Sequence, residues 1–188
     1  MAPPDDEIGA AVPIGVDLLV ICTGNAARSV MAGFMLDALS EAEGLGLRVA
    51  TAGTHAVDGQ PMSMRTRVAL SSVPAVADAP VARHRSHQLK TGDLVRADLV
   101  VGMEADHVRY VRRQHPEAAA RTATIRRLSA DLSPGPAPLA ERVGALGLAD
   151  VALHSDEDVS DPAGRDEEVY VACAHQLWDL CVELAARI

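Results

Sequence analysis

A short apolar segment followed at once by a helical pattern constrains the fold more than any other feature of this chain. Residues 16–22 (VDLLVIC) are nearly all apolar, which is typical of a strand buried on both faces of a parallel sheet. Gly24 and Asn25 interrupt this run. The apolar residues after Ser29 recur at helical spacing along one face, and they are Met31, Phe34, Met35, Ala38 and Leu39. Strand, turn and helix in this order predict the first half of a β-α-β unit.

The same alternation continues to the end of the chain. The first helix is expected to end near Gly44. The segments predicted after it are a strand at 47–52, a helix from Pro61 to about Ser72, a strand at 97–103, a helix at 105–115, a short strand at 123–128 and a last helix at about 165–187. Alternating strands and helices predict an α/β fold: a single domain with an open parallel sheet flanked by helices.

Length and composition favour one globular domain. The chain has 188 residues, of which 48% are apolar, enough for one substantial core. We expect residues 1–14 to be a flexible lead-in and residues 15–188 to form the domain. A Pro- and Gly-rich insertion is predicted at about 129–158, where a lid, a docking surface or an inert loop would all fit.

Charge and cysteine content exclude several classes of protein. The net charge of −9 argues against a nucleic-acid partner, which requires clustered Lys and Arg. The three cysteines Cys22, Cys173 and Cys181 form no CxxC pair, so neither a disulfide framework nor a zinc site is expected. There is no apolar run of membrane-spanning length and no positively charged start typical of a secretory signal. We therefore predict a cytoplasmic protein without a membrane partner.

Cys22 stands where a parallel sheet binds its ligands. Ligands lie beyond the carboxyl ends of the strands, and the loop after Cys22 leads into the N-terminus of a helix. Backbone N–H groups and the positive end of the helix dipole would stabilise a thiolate there and would bind a tetrahedral oxyanion. A cysteine after a buried strand is also often a small core residue, and this alternative stays open at this point.

The residues after Cys22 favour the functional interpretation. Arg28 completes the pattern C-x5-R, and its planar fork can hold two phosphate oxygens if the loop curls back on itself. Ser29 can donate its hydroxyl to the thiolate. Gly24 permits the backbone angles of such a curl, and Asn25 tolerates a left-handed conformation while its amide pins the loop.

Several segments together resemble one known family. Residues 18–36 (LLVICTGNAARSVMAGFML) resemble the N-terminal signature of the low-molecular-weight protein tyrosine phosphatases, C-x-G-N-x-x-R-S after a first strand. Four later segments resemble the family in order and spacing: TAGTHAVDGQPMSMRTRVAL (51–70), ARHRSHQL (82–89), ADLVVGMEADH (97–107) and VSDPAG (159–164). The similarity spans about residues 16 to 188.

The resemblance implies a phosphatase fold and a phosphocysteine mechanism. Cys22 would be the nucleophile, Arg28 would bind the phosphoryl group, and Asp161 would protonate the leaving oxygen and then activate water. The phosphate-binding loop implied by the same match consists of Thr23, Gly24, Asn25, Ala26, Ala27, Arg28 and Ser29. No metal and no cofactor are implied. The three acids before Asp161, at 156–158, are predicted to be a solvated run.

Two departures from the family pattern bear on function. Ala27 stands where the family often has a second cysteine, and Cys173 and Cys181, on one face of the last helix, are predicted to be core residues. The aromatic residues that usually form the wall for phosphotyrosine are replaced by Val57 and, after the Asp-Pro pair, by Ala163 and Gly164, so stacking would be lost. The expected substrate is a phosphotyrosyl protein or a small aryl phosphate.

Two other functions remain open from the sequence. An arsenate reductase shares the fold and the CTGN start, but it needs two further cysteines in the middle of the chain, and between Ala27 and Ala172 there are none. A non-catalytic phosphate-binding interaction module is the second alternative. The combination of Cys22, Arg28, Ser29 and Asp161 argues against it, because a binder has no use for both a nucleophile and an acid.

Overall fold

Within residues 15–188, which the computed structural model describes, four parallel strands form one sheet. The lead-in predicted for residues 1–14 lies outside the described part of the chain. In chain order the strands are β1 (Val16–Cys22), β2 (Leu47–Gly53), β3 (Leu99–Gly102) and β4 (Thr122–Thr124). Their order across the sheet is β2-β1-β3-β4, and each neighbouring pair is parallel. The predicted open parallel sheet is therefore confirmed.

Helices flank this sheet on both faces. The α-helices are α1 (Arg28–Glu43), α2 (Met64–Ser71), α3 (Thr91–Arg96), α4 (Ala105–Gln114), α5 (Ile125–Asp131), α6 (Leu139–Gly144) and α7 (Glu167–Ala185). Short 3-10 helices lie at Pro74–Val76, Val81–Arg83, Pro116–Arg121 and Ser155–Glu157. The first helix ends as predicted, because Gly44 takes a left-handed conformation with φ 67°.

Two predicted elements differ from the structure. The helix expected from Pro61 begins only at Met64, because the Ser63 side chain caps it by accepting from Thr66 N at 3.2 Å. The strand expected at 123–128 becomes helix after Thr124, whose Oγ1 caps α5 by accepting from Arg127 N at 3.2 Å.

The Pro- and Gly-rich insertion at about 129–158 holds the end of α5 and all of α6. Helix α3 was not expected from the sequence.

The core lies on both faces of β1, as its apolar sequence predicts. Leu18 and Val20 pack with residues of α1, α2, α5 and α7, and Leu19 and Ile21 pack with residues of α3 and α4 on the opposite face. Cys173 and Cys181 are buried in the first of these layers, which confirms that they are core residues. Burial raises the pKa of the Cys173 thiol to about 11.

The sheet brings the ends of distant segments to one edge. Because the strands are parallel, the chain leaves β1, β3 and β4 at the same side, at Cys22, Gly102 and Thr124. None of the helices within residues 15–188 is long and apolar enough to cross a bilayer.

Candidate active site

The loop after β1 holds a buried thiol against a hydroxyl. Cys22 is 3% exposed, and its Sγ lies 3.0 Å from the Oγ of Ser29 in the first turn of α1. Met31 N donates to Ala27 O at 2.8 Å, so the loop passes directly into the helix. The thiol therefore faces the N-terminus of α1, where oriented N–H groups favour a negative charge.

Asn25 determines the shape of this loop. It is completely buried and has the left-handed conformation predicted for it, with φ 49°. Its side-chain amide donates to Ser29 Oγ at 3.0 Å and to Thr51 Oγ1 at 2.9 Å, while its Oδ1 accepts from His87 N at 2.9 Å. His84 Nε2 donates to the backbone oxygen of Asn25 at 2.9 Å. The loop is thus tied to α1, to β2 and to residues 84–87.

The role predicted for Gly24 is not seen. Its φ is not positive, and a Cβ built there would meet nothing within 4 Å, so the left-handed turn is made by Asn25 instead. The position at which only glycine fits sterically is Gly53, at the end of β2. A Cβ at Gly53 would lie 2.6 Å from Thr23 O and 2.9 Å from Asn25 N. Close approach of β2 to the loop therefore depends on Gly53.

Arg28 lies between the loop and a distant segment of the chain. Its side chain is 2% exposed, and its Nη2 donates to Asp161 Oδ2 at 2.7 Å. Its Nη1 donates to Glu104 Oε1 at 2.5 Å and to Val159 O at 2.9 Å. The structure thus brings Cys22, Arg28 and Asp161 to the same edge of the sheet, although Asp161 is 133 residues from Arg28 in sequence.

The segment before Asp161 is anchored to the sheet rather than solvated. Glu157, predicted to belong to a solvated run, is only 8% exposed, and that prediction is wrong for it. Glu157 Oε2 accepts from Thr124 Oγ1 at 2.7 Å and from Arg127 Nε at 3.0 Å. Burial opposes ionisation of Glu157, but these hydrogen bonds lower its pKa below the ordinary value. Asp158 is also tied down, since its Oδ1 accepts from Ala105 N at 2.7 Å.

Two further residues at this site were not recognised in the sequence, Glu104 and His107. Both follow the carboxyl end of β3, and the rule that ligands bind at the carboxyl ends of parallel strands would have pointed to them. His107 is 2% exposed; its Nδ1 accepts from Glu104 N at 3.0 Å, and its Nε2 lies 3.1 Å from Thr23 Oγ1. Burial and the nearby Arg28 charge lower the pKa of His107 to about 4.

An open cavity of about 370 Å³ lies next to the loop, at Thr23. Its other lining residues are Thr54, His55, Glu104, Asp106, His107, Tyr110 and Arg113. The ring of His55 meets Tyr110 edge to face, with centroids 5.6 Å apart. Tyr110 therefore supplies an aromatic surface in this cavity, whereas Val57 is 69% exposed and does not line it. Among residues 15–188, His, Cys, Asp and Glu side chains form no cluster of three or more that could hold a metal ion.

The sequence is similar to one known family of phosphatases. The family described as low molecular weight phosphotyrosine protein phosphatase matches residues 17–133. A protein-arginine-phosphatase of Geobacillus stearothermophilus is 28% identical over 171 residues, which cover 91% of this chain and 95% of the relative. A probable low molecular weight protein-tyrosine-phosphatase, EpsP of Ralstonia solanacearum, is 36% identical over 115 residues, 59% of this chain and 69% of the relative.

Solved structures with the same fold include a protein named as a tyrosine phosphatase and one named as an arginine phosphatase. A low molecular weight protein tyrosine phosphatase from T. tengcongensis matches with a TM-score of 0.74 and 29% identity, over 93% of this chain and all of the other. The YwlE arginine phosphatase from Geobacillus stearothermophilus matches with a TM-score of 0.68 and 29% identity, over 90% of each chain.

Proposed function

Because this chain belongs to the low molecular weight phosphotyrosine protein phosphatase family, whose members are cysteine-dependent phosphatases, we propose that Cys22, Arg28 and Asp161 carry out its reaction. The observation that carries the proposal is the ion pair of 2.7 Å between Arg28 and Asp161. It puts a candidate acid within reach of any phosphoryl group that Arg28 holds above Cys22.

In the first step the thiolate of Cys22 attacks phosphorus. A sulfur–phosphorus bond forms while the bond to the leaving atom breaks, and protonated Asp161 gives its proton to that atom. Arg28 and the N–H groups of residues 23–29 stabilise the charge that develops on the phosphoryl oxygens. The Ser29 hydroxyl stabilises the thiolate before attack.

In the second step water hydrolyses the phosphocysteine. The carboxylate of Asp161 takes a proton from water, the oxygen attacks phosphorus, and the sulfur of Cys22 leaves as the thiolate. Inorganic phosphate is released and Asp161 is protonated again, so the cycle needs no metal or cofactor. Asp161 is 40% exposed, which leaves it accessible to water and to the substrate.

Substrate binding must rearrange the contacts of Arg28. In the structure its guanidinium is held by the carboxylates of Glu104 and Asp161. A phosphoryl group that takes over part of the Arg28 guanidinium releases the Asp161 carboxyl from this contact, so that it can face the leaving atom of the substrate.

For the substrate we propose a phosphorylated protein, with phosphoarginine as the preferred residue. The cavity beside Thr23 is lined by the carboxylates of Glu104 and Asp106 and by the guanidinium of Arg113. One oxygen of each carboxylate is paired, that of Glu104 with Arg28 and that of Asp106 with Arg109, and the other oxygen of each remains for a ligand. Cleavage of a phosphorus–nitrogen bond with protonation of the nitrogen releases a guanidinium cation, which these carboxylates stabilise. Two relatives that match more than 90% of this chain are named protein-arginine-phosphatases, which supports the same substrate.

Phosphotyrosine is the second candidate, because Tyr110 lies in the same cavity. Its ring offers the aromatic contact that Val57 and Ala163 cannot supply. The two EpsP relatives, named as probable tyrosine phosphatases, match 59% of this chain, whereas the tyrosine phosphatase structure from T. tengcongensis matches 93% of it.

The mechanism is tested with two aryl phosphates of different leaving-group strength. We expect Cys22→Ser to release no phosphate from para-nitrophenyl phosphate, while Asp161→Asn loses about 10²- to 10⁴-fold in rate. The loss in Asp161→Asn should be larger on phenyl phosphate, because phenolate is a poorer leaving group and depends more on the proton. Asp156→Asn, an exposed acid five residues earlier, is the matched control. Turnover by Cys22→Ser would overturn the mechanism, and an inactive wild type would favour a binding module.

The substrate is tested with two peptides of one sequence that differ in the phosphorylated residue. We expect kcat/KM to be at least about tenfold higher for the phosphoarginine peptide than for the phosphotyrosine peptide, corresponding to about 1.4 kcal/mol. Tyr110→Leu should leave that advantage in place. A preference for phosphotyrosine that Tyr110→Leu removes would instead establish the second candidate.

A further inference from the structure

A buried histidine holds the side chain of the first loop residue after the cysteine. His107 Nε2 and Thr23 Oγ1 are 3.1 Å apart, although the two residues are 84 positions apart in sequence. His107 belongs to the first turn of α4, whereas Thr23 follows β1 directly and is exposed to the cavity. The contact therefore joins the fixed body of the protein to the open face of the phosphate-binding loop.

The hydrogen bonds of His107 determine its tautomer. The backbone N–H of Glu104 can only donate, so the Nδ1 that receives it at 3.0 Å carries no proton. The ring is neutral at pH 7, because burial and Arg28 lower the pKa of His107 to about 4. Its one proton is therefore on Nε2, and Nε2 is the donor in the bond to Thr23.

This assignment leaves the proton of the Thr23 hydroxyl without an acceptor. Thr23 Oγ1 receives the proton of His107, and among residues 15–188 no second partner of this oxygen is found. The buried His107 ring donates to this oxygen from the inside of the protein. The proton of the exposed Thr23 hydroxyl therefore points outward, where it can be donated to a ligand. The group it faces is whatever occupies the cavity beside Thr23, next to the loop that follows Cys22.

We propose that His107 is a positioning residue, which fixes the Thr23 hydroxyl so that it donates a hydrogen bond to an oxygen of the phosphoryl group bound at Cys22. This inference rests on the proposed function, and it adds a side-chain donor to the ring of backbone N–H groups. It does not depend on whether the phosphoryl group comes from arginine or tyrosine.

Two substitutions of His107 test the roles of its two ring nitrogens separately. In His107→Gln the side-chain amide nitrogen can replace Nε2 and still donate to Thr23. In His107→Asn the amide oxygen can replace Nδ1 and still accept from Glu104 N, but the donor to Thr23 is lost. We expect kcat/KM on para-nitrophenyl phosphate to fall about tenfold in His107→Asn, as for one lost hydrogen bond, and less than about threefold in His107→Gln.

The hydroxyl itself is tested with Thr23→Val, which keeps the shape of the side chain. We expect about the same tenfold loss, and we expect Thr23→Ser to retain most of the rate. If His107 acts only through Thr23, the double variant His107→Asn/Thr23→Val should lose about tenfold and not about a hundredfold. Thermal unfolding of each variant checks that it is folded.

The outcomes separate this inference from the proposed function. A wild type that hydrolyses neither para-nitrophenyl phosphate nor the phosphoarginine peptide contradicts the proposed function. If the wild type is active, three results overturn the inference alone: an unchanged rate in Thr23→Val, a greater loss in His107→Gln than in His107→Asn, or multiplied losses in the double variant. The second of these is expected if His107 serves only to receive the Glu104 N–H group at the start of α4.

Discussion

The hydroxyl oxygen of Ser29 lies 3.0 Å from the sulfur of Cys22. The same oxygen accepts a hydrogen bond from the Asn25 amide, also at 3.0 Å, and its own proton is available to donate to the sulfur when Cys22 is a thiolate. Because Asn25 is buried and bonded to Thr51 as well, the donor to Ser29 is fixed before any substrate binds. In the proposed mechanism, a thiolate at Cys22 would therefore be stabilised by a chain of two hydrogen bonds within the loop.

Removal of this hydroxyl should reduce the reactivity of Cys22. In Ser29→Ala the sulfur loses a donor of the kind that stabilises an anion by about 1.5–3 kcal/mol. We expect the rate of alkylation by iodoacetamide at pH 6 and the kcat for an aryl phosphate to fall at least about tenfold together. Ser71→Ala, an exposed serine on α2, is the control. Unchanged alkylation in Ser29→Ala would mean that the backbone N–H groups and the helix dipole suffice.

A methyl group at Gly53 should damage the loop from the side of β2. The new Cβ would meet backbone atoms of Thr23 and Asn25 at 2.6 and 2.9 Å, and backbone cannot move aside as a flexible side chain can. We expect Gly53→Ala to lose about 1–3 kcal/mol of unfolding free energy and most of its phosphatase activity. Gly92→Ala in α3, where a Cβ meets nothing within 4 Å, should be neutral or slightly stabilising. Urea unfolding measures both.

The features that could be predicted from the sequence are those fixed by local patterns. The strand before Cys22, the loop and the helix after it are encoded within about thirty consecutive residues, and the left-handed Asn25 follows from its residue type. The contacts of Glu104 and His107 could not be predicted, because they depend on how the end of β3 meets the end of β1. The burial of Glu157 does not follow from its sequence, because its partner Arg127 lies in a segment predicted to be a strand.

Glu157 should affect the position of the proposed acid, Asp161, although it lies four residues earlier in the chain. Its carboxylate binds Thr124 and Arg127, and these bonds hold the start of the segment that leads to Asp161. In Glu157→Gln the charge is lost and one acceptor becomes a donor, so we expect a misplaced acid. The rate on phenyl phosphate should fall about tenfold or more, and the rate on para-nitrophenyl phosphate should fall less.

The exposed neighbour Asp156 again provides the control, since Asp156→Asn leaves these bonds intact. An equal loss on both substrates in Glu157→Gln would indicate general destabilisation and not displacement of the acid.

Asp37 on α1 should make the protein less stable above pH 6. Burial, and then the like charge of Glu41 one turn later, raise the pKa of Asp37 to about 6, from 3.8 in an unfolded chain. Between these two pH values the folded state binds the proton more tightly, so the free energy of unfolding falls as the pH rises and the loss is complete above about pH 6. Since the Asp37 side chain is exposed to solvent, screening limits the cost to at most about 1 kcal/mol.

Replacement of Asp37 by asparagine keeps the shape of the side chain and removes the titration. We therefore expect Asp37→Asn to raise the melting temperature by about 2–4 °C at pH 8. At pH 3.5, where the carboxyl is mostly protonated in both states, the variant and the wild type should melt at nearly the same temperature. Glu41→Gln should recover a smaller part of the difference, because the charge of Glu41 is the second cause and burial is the first. The same pH dependence of melting in Asp37→Asn and in the wild type would show that another group is responsible for it.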